Sequence, residues 1–388
     1  MNFDIIFSYS DPALNGVNGI YRVENRKQKS IPADTDYEAI QAFLSEYQDS
    51  PQTLRGYTKE CERLLLWAIL YLNKPMSSMS RDDFGEYIKF MGNPDPIWCG
   101  KKISKKSEHW KPFIGPMSES AVKTSVASIN SLLSWLVNAG YVTGNPLGLI
   151  RKKKNKNDNI TVYKKVERFL DDDMWAALLY CVETLPIDTD ADKYHQERMR
   201  FILTVFLLLG ARISELANIK MNDFKKNVGG WFWDVNGKGD KNANVAMPKD
   251  MVDALMRWRK YLGLSALPKY NEDIPAIPFV NKFNKPLFDK EGIKPRRINQ
   301  ILKAFFEKAA VELSIGGQED KAEKIKNASA HWLRHTSITQ KVNAGIDRHT
   351  VQVEARHSDA RTTDMYTHDD EKKRSDESQK HKIGWANK

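Results

Sequence analysis

The sequence predicts a mainly helical protein with a small antiparallel β-sheet, divided into two domains. Three observations carry this prediction. Apolar residues recur at helical spacing along most of the chain, and two short β-like runs flank one glycine-containing turn. The length of 388 residues also exceeds that of one ordinary domain.

Residues 1–33 show little periodicity and are expected to form an N-terminal extension. Residues 34–150 carry four helical patterns, so we expect a helical domain there. Ser50-Pro51 and Ser118 mark two helix starts, because serine can cap a helix and proline fits its first turn. Gly140 suits a left-handed helix end.

Basic residues concentrate in two segments of this first half. The stretch 92–116 is expected to be a loop, and it carries the basic residues Lys101 and Lys102. The linker 151–168 begins with a basic run that contains four lysines. They are Lys152, Lys153, Lys154 and Lys156. A solvated tether explains such a run as well as a nucleic acid contact that releases counterions, and both interpretations stay open for the linker alone.

Residues 169–370 are expected to form the second domain, followed by a charged tail over 371–388. The helical patterns cover 172–184, 196–209, 214–219, 249–262, 296–313 and 318–325. The β-like runs cover 229–235 and 244–247, on either side of the turn.

Charge and cysteine content narrow the function classes. The formal net charge of +10 favours a polyanionic partner, although a merely soluble surface would also explain it. Cys61, Cys99 and Cys181 lie far apart and form neither a metal-ligand pair nor a disulfide framework, which fits a reducing cytoplasm. The chain shows no leader pattern at its start, and its longest apolar run, 201–209, is too short to span a bilayer.

Two arginines are candidates for holding a phosphate. Arg212 follows a buried helix, and its ordinary interpretation is an ion pair with Glu215, three residues later. Arg334 could equally be a surface residue of its helix. A planar guanidinium also grips two oxygens at once, so the pair could clamp one phosphodiester and stabilise charge that develops at phosphorus.

The histidines do not form a convincing metal site. His331 and His335 lie four residues apart on one helix face, a spacing that also occurs at zinc sites. Trp332 stands where the glutamate of the zinc-protease helix motif would be, and no nearby cysteine or carboxylate pair completes a shell. We therefore expect no metal. His357 alone is more often a structural histidine than a catalyst.

Lys238 and Tyr366 have both an ordinary and a chemical interpretation. Lys238 lies between Gly237 and Gly239, and Lys241 closes the same turn. A turn lysine is usually just solvated, yet an ammonium there could protonate a leaving alkoxide. Most tyrosines pack their rings, but Tyr366 beside phosphate-clamping arginines could attack phosphorus.

Taken together, these motifs resemble the tyrosine recombinases, or phage integrases, over residues 34–368. The segment from Gly210 to Leu216 matches the first arginine box, and Gly237-Lys238-Gly239 matches the β-hairpin lysine. His331-x-x-Arg334-His335-Thr336 matches the second box. His357, nine residues before Tyr366, matches the last histidine and the nucleophile.

The resemblance implies a fold and a mechanism. A helical core-binding (SAM-like) domain and an α+β catalytic domain would form a C-shaped clamp around double-stranded DNA. Lys101, Lys102, Lys241 and the four linker lysines would be DNA contacts. Tyr366 would form a 3′-phosphotyrosyl link, Arg212 and Arg334 would hold the phosphate oxygens, and Lys238 would be the general acid. His331 and His357 would assist, and Glu215 would orient its neighbours.

The resemblance also implies partners and a setting. It implies a homotetramer on paired recognition sites, formed from solution monomers, that needs no cofactor. We expect a bacterial or phage-encoded enzyme at the nucleoid that integrates or excises a mobile element. The alternatives are a type IB topoisomerase-like enzyme that relaxes DNA and a non-catalytic DNA-binding relative.

One position departs from the family pattern. The family commonly has Leu-Gly-His before the nucleophile, whereas this chain has Ala355-Arg356-His357. If the glycine position requires a positive φ, Arg356 is strained there. If it does not, Arg356 adds a phosphate contact.

Overall fold

The chain forms two compact units, residues 1–159 and 160–388. The computed structural model describes residues 11–23, 30–150, 168–236, 242–281 and 285–356.

The first unit is helical around an aromatic-rich core. Its described residues form four α-helices, α1 (Asp36–Ser45), α2 (Pro51–Leu70), α3 (Arg81–Gly92) and α4 (Glu119–Asn138). The Thr35 hydroxyl accepts from the Glu38 backbone N–H at 3.2 Å, and the Glu38 carboxylate accepts from the Thr35 N–H at 2.9 Å. This reciprocal cap fixes the start of α1. Trp67 of α2 is fully buried in the core.

The segment before α1 packs into this unit. Leu14 and Ala33 are buried in the same core as the four helices. Arg22 forms an antiparallel bridge with Val142, and its guanidinium lies 3.8 Å from the centre of the Tyr141 ring. The described part of the N-terminal segment therefore contributes to the core of the first unit.

The connection between α3 and α4 is mostly irregular, but it is anchored. Trp98 and Phe113 are buried, and the Arg63 guanidinium donates to the Pro112 carbonyl at 2.8 Å. Lys101 and Lys102 are exposed on the part of the loop between those anchors.

The second unit combines eight α-helices with two small sheets in its described part. The helices are α5 (Asp172–Glu183), α6 (Asp190–Leu209), α7 (Ile213–Asn218), α8 (Lys249–Tyr261), α9 (Pro295–Ile315), α10 (Glu319–Lys326), α11 (Ala330–Asn343) and α12 (Arg348–Glu354). The strands are β1 (Phe224–Asn227), β2 (Gly230–Asn236), β3 (Asn242–Ala246), β4 (Phe279–Val280) and β5 (Pro286–Leu287). Helix α9 packs against α5, α7 and α10, and α6 packs against α8 and α11.

The main sheet has three antiparallel strands in the order β1-β2-β3. Trp233 is buried at its centre, opposite Phe224 on one side and Val245 on the other. The sequence predicted only the pair β2 and β3. Strand β1 escaped prediction because only Phe224 of its four residues is buried, so it carries no alternating apolar pattern.

Helices α11 and α12 are held together by a small separate core. Ile338 of α11 is buried against Val351 of α12 and Ala355 just after it. This contact places the end of α12 beside the third turn of α11 and so positions the residues that precede His357. Over the ranges that the structure describes, no helix combines the length and apolar character that a membrane crossing requires.

Candidate active site

The first arginine box forms the junction between α6 and α7. Gly210 ends α6 in the left-handed region, with φ of 58°, and the backbone then turns to start α7 after Arg212. A Cβ at Gly210 would lie 3.2 Å from the Ser337 hydroxyl oxygen, so this position favours glycine for both conformation and space.

Glu215 holds Arg212 at two points. Its carboxylate accepts from the Arg212 backbone N–H and from Arg212 Nη1, both at 2.7 Å. The Glu215 side chain is only 7% exposed, whereas that of Arg212 is 44% exposed. The ion pair expected from the sequence therefore exists, and it leaves a large part of the Arg212 side chain accessible.

The second arginine box lies on α11 and reaches the same junction. Arg334 is buried, and its guanidinium donates to the carbonyls of Gly210 and Ala355. The hypothesis that Arg334 is a surface residue is wrong, because its helix faces the α6–α7 junction at this position.

The two arginine boxes meet at two successive backbone carbonyls. Arg334 reaches the carbonyl of Ala355, and Arg212 Nη2 donates to the carbonyl of Arg356 at 3.3 Å. Both guanidinium groups thus contact successive residues that directly precede His357 in the chain.

Arg356 adds a third guanidinium to this cluster. Its Nη2 donates to Glu215 Oε2 at 2.9 Å and to the Gly210 carbonyl at 3.0 Å. Its backbone has a positive φ of 55°. Of the two possibilities raised by the sequence, a positive φ at the glycine position is the one found. The sequence did not reveal the contact with Glu215, because 141 residues separate the partners.

Glu215 is an ionised carboxylate despite its burial. Burial alone would raise its pKa, but the charge of Arg356 and the hydrogen bonds and charge of Arg212 outweigh it, so the pKa of Glu215 lies below its usual range. Glu215 therefore carries its negative charge at neutral pH between two arginines.

His331 is an exposed residue in the first turn of α11, three residues before Arg334. Partial burial of its ring lowers its pKa, and the charges of Arg334, Arg212 and Arg168 lower it further. A pKa below the ordinary 6.5 leaves this imidazole neutral at pH 7. The rings of His331 and His335 meet edge to face, with their centres 4.2 Å apart.

Several expected site residues lie outside the described residues. They are Lys238, Lys241, His357 and Tyr366, together with the linker residues Lys152, Lys153, Lys154 and Lys156. The strands on either side of 237–241 pair with each other, with Asn236 opposite Asn242. Lys101 and Lys102 belong to the first unit. Within the described part of the chain, no group of three or more His, Cys, Asp or Glu residues could hold a metal ion.

Comparison with known proteins assigns the second unit to a family. A sequence model of the phage integrase family matches residues 168–373, more than half of the chain. The chain belongs to the phage integrase family. Its enzyme class is therefore that of the tyrosine-type site-specific recombinases, which cleave and rejoin DNA strands. The family and the enzyme class expected from the sequence are both confirmed.

Curated relatives of this integrase-family chain are tyrosine recombinases. The chain is 24% identical over 339 residues to the tyrosine recombinase XerC of Xanthomonas axonopodis pv. citri (strain 306), covering 85% of this chain and 92% of that protein. It is 22% identical over 319 residues to a tyrosine recombinase of Thermosipho africanus (strain TCF52B), covering 82% of this chain and 89% of that protein.

Solved structures share the fold of this integrase-family chain. The XerH recombinase bound to difH substrate in a pre-cleavage complex superposes with a TM-score of 0.55 at 15% identity, covering 97% of this chain and 92% of that chain. The Tn1549 transposon integrase in complex with transposon right end DNA gives 0.51 at 15% identity, covering 88% and 98%. The predicted class, mainly helical with small antiparallel sheets, is confirmed.

Proposed function

We propose that this protein cleaves DNA at a specific site through Tyr366 and rejoins the strands in a new combination. The observation that carries the proposal is the meeting of Arg212 and Arg334 at the carbonyls of residues 355 and 356. Tyr366 lies ten residues further along the chain. Two guanidinium groups gathered there suit the oxygens of one phosphodiester.

The proposed step is an in-line exchange of esters. The phenolic oxygen of Tyr366 forms a bond to phosphorus, and the bond from phosphorus to the 5′-oxygen breaks. The product is a 3′-phosphotyrosyl link and a free 5′-hydroxyl. Lys238 gives a proton to the leaving oxygen, and His331, which is neutral at pH 7, is able to accept the phenol proton.

The reverse of this step joins a new strand. The incoming 5′-hydroxyl attacks the phosphotyrosyl phosphorus and releases Tyr366, so the ester retains the free energy of the broken bond. Arg212 and Arg334 stabilise the charge on the non-bridging oxygens in both directions. His357 assists them, and Glu215 holds Arg212 in place.

The partner is double-stranded DNA with paired recognition sites, on which four copies assemble from monomers. Residues 34–150 bind DNA, 169–370 carry the chemistry, and the 151–168 linker and lysines 101, 102 and 241 contact phosphates. The net charge of +10 supports this partner. So do the fold neighbours, since XerH was solved on difH DNA and the Tn1549 integrase on transposon end DNA. The biological role is integration or excision of a mobile element at the nucleoid.

Covalent trapping tests this function. Selection from a random duplex library with the full-length protein supplies a bound site, and a nicked duplex carrying that site then loses a short strand after cleavage and cannot be resealed. The parent protein should accumulate a covalent DNA adduct. Tyr366→Phe should form none and should bind the duplex within about threefold of the parent, because only one hydroxyl is removed.

Tyr180→Phe is the matched control, since this exposed tyrosine of α5 lies in the same unit. It should trap DNA at the parental rate. An undiminished adduct with Tyr366→Phe would refute the nucleophile, and a parent that binds but never traps would leave a DNA-binding protein without catalysis. A protein that forms the covalent adduct and relaxes supercoiled DNA, but exchanges no strands between two sites, would be a topoisomerase.

A further inference from the structure

Arg356 occupies a conformation that few side chains adopt. Its φ of 55° lies in the left-handed region, and among the described residues only Asn73 and Arg356 are non-glycine residues with a positive φ. A residue with a Cβ pays about 1 kcal/mol in this region relative to glycine. Contacts of the Arg356 side chain must therefore offset that cost.

Those contacts are directed into the protein. The Arg356 side chain is 7% exposed, and its guanidinium lies 5.4 Å from the centre of the Trp233 ring on β2. Nη1 donates to the Glu354 carbonyl at 2.8 Å, and Nη2 donates to Glu215 and to the Gly210 carbonyl. These contacts direct the Arg356 guanidinium to the Glu215 carboxylate and to backbone carbonyls, so we assign it a role toward those protein groups.

The backbone of Arg356 serves the same cluster. Its carbonyl accepts from Arg212 Nη2, while its side chain holds the carboxylate that binds Arg212 Nη1. Arg212 is thus fixed from two sides by one residue, once directly and once through Glu215. The left-handed backbone directs the carbonyl and the side chain to their partners together.

We propose that Arg356 is a positioning residue that aims Arg212 at the scissile phosphate through Glu215 and through its own carbonyl. This inference rests on the proposed function, because it assigns Arg212 to the phosphate. It also ties the chain just before His357 to the Arg212–Glu215 pair and to Trp233 of β2, the strand that ends at Asn236, two residues before Lys238 in the sequence. A glycine at this position could supply the carbonyl that binds Arg212, but it has no side chain to bind Glu215.

The test uses Arg356→Gly, which removes the side chain and keeps a residue that accepts the left-handed conformation. With the nicked duplex at saturating concentration, we expect single-turnover cleavage to be about tenfold slower, the effect of losing one charged hydrogen bond in the transition state. The dissociation constant and its salt dependence should stay within about twofold, because no phosphate contact is lost. Arg356→Asn is a second variant that tolerates this backbone but is too short to reach Glu215.

A double-mutant cycle separates positioning from general damage. In a Glu215→Gln background, Arg356→Gly should slow cleavage much less than in the parent, because the carboxylate that it acts through is already gone. Arg257→Gln, which removes an exposed arginine paired with Glu197, should leave cleavage unchanged in both backgrounds.

The results distinguish failure of the positioning role of Arg356 from failure of the proposed DNA cleavage. Parental cleavage rates in both Arg356 variants would overturn the positioning role and leave the proposed function intact. Equal slowing with and without Glu215 would overturn the route through Glu215. Weaker binding with a shallower salt slope would instead make Arg356 a phosphate contact. A parent protein that never cleaves would overturn the proposed function itself.

Discussion

Each unit contains a buried carboxylate near the start of a helix, and the two behave in opposite ways. Asp36 of α1 is fully buried, and it accepts from the Ser77 backbone N–H and the Tyr141 hydroxyl, both at 2.9 Å. Its pKa is raised because burial outweighs those hydrogen bonds and the nearby charge of Arg22. The pKa of Glu215 is lowered instead, because Arg356 and Arg212 outweigh burial.

The difference lies in how arginine approaches the carboxylate. In the first unit Arg22 donates to the Tyr141 hydroxyl at 2.6 Å, and the hydroxyl in turn donates to Asp36. In the second unit two guanidinium groups contact Glu215 directly. Burial disfavours the charged form at both places, and Asp36 is the more completely buried of the two. At Glu215, direct contact with two guanidinium groups outweighs burial and lowers the pKa. Asp36 joins segments of the first unit through hydrogen bonds to Ser77 and Tyr141. Glu215 holds the guanidinium groups of Arg212 and Arg356 in position.

The largest effect should come from removing the carboxylate of Asp36. Asp36→Ala leaves the Ser77 N–H and the Tyr141 hydroxyl without their buried acceptor, which should destabilise the first unit by about 3 kcal/mol. Urea unfolding with pulsed thiol labelling reports each unit separately, because Cys61 is buried in the first unit and Cys181 in the second.

The matched control for this prediction is Asp49→Ala at an exposed position of the first unit, expected to change stability by less than about 0.5 kcal/mol. The Cys181 transition should not move in either variant. A Cys61 midpoint that stays at the parental urea concentration in Asp36→Ala would mean that the Asp36 hydrogen bonds add nothing to stability.

A second, smaller effect is a pH dependence of opposite sign in the two units. The raised pKa of Asp36 means that the folded form binds its proton more tightly than the unfolded chain. The first unit therefore loses stability as pH rises from about 3.8 through the raised value. The lowered pKa of Glu215 means the reverse, so the second unit loses stability as pH falls below about 4.5.

The measurement compares the parent with Asp36→Asn and Glu215→Gln from pH 3 to 7, using a disulfide reagent that labels thiols at acid pH. Relative to its variant, the parent should weaken with rising pH at Cys61 and strengthen with rising pH at Cys181. Slopes of the same sign at the two cysteines would show that guanidinium contact does not decide the charge state of Glu215.

The two carboxylates also show what the sequence can predict. Local signals placed most helices, since Ser50-Pro51 and Ser118 start α2 and α4 as expected. Helix α6 begins at Asp190, six residues before the predicted start, because Thr189 and Asp192 form a reciprocal cap that the apolar pattern does not show. The arginine boxes were likewise visible, because their residues lie within a few positions of one another.

Contacts between distant segments were not predictable from local patterns. Asp36 lies 41 residues from Ser77 and 105 from Tyr141, and Arg356 lies 146 residues from Gly210. No periodicity or spacing indicates such pairs. In the sequence, the Arg356 contacts were indicated only by an arginine at a position where the family commonly has glycine. That difference did not reveal Glu215 as the partner of Arg356.

The smallest effect concerns the two residues with a positive φ. Asn73, with φ of 54°, is exposed just after α2, and asparagine tolerates this region better than most residues. Asn73→Gly should therefore change stability by less than about 0.5 kcal/mol, because slight relief of the backbone is offset by the greater freedom of glycine in the unfolded chain.

Arg356→Gly relieves more strain but removes buried charged hydrogen bonds, so it should destabilise the second unit by about 1 kcal/mol. The same urea titrations measure both, with Cys61 reporting Asn73→Gly and Cys181 reporting Arg356→Gly. If Arg356→Gly stabilised its unit, the contacts with Glu215 and Gly210 would be too weak to hold a strained backbone, and Arg212 would have to be positioned by Glu215 alone.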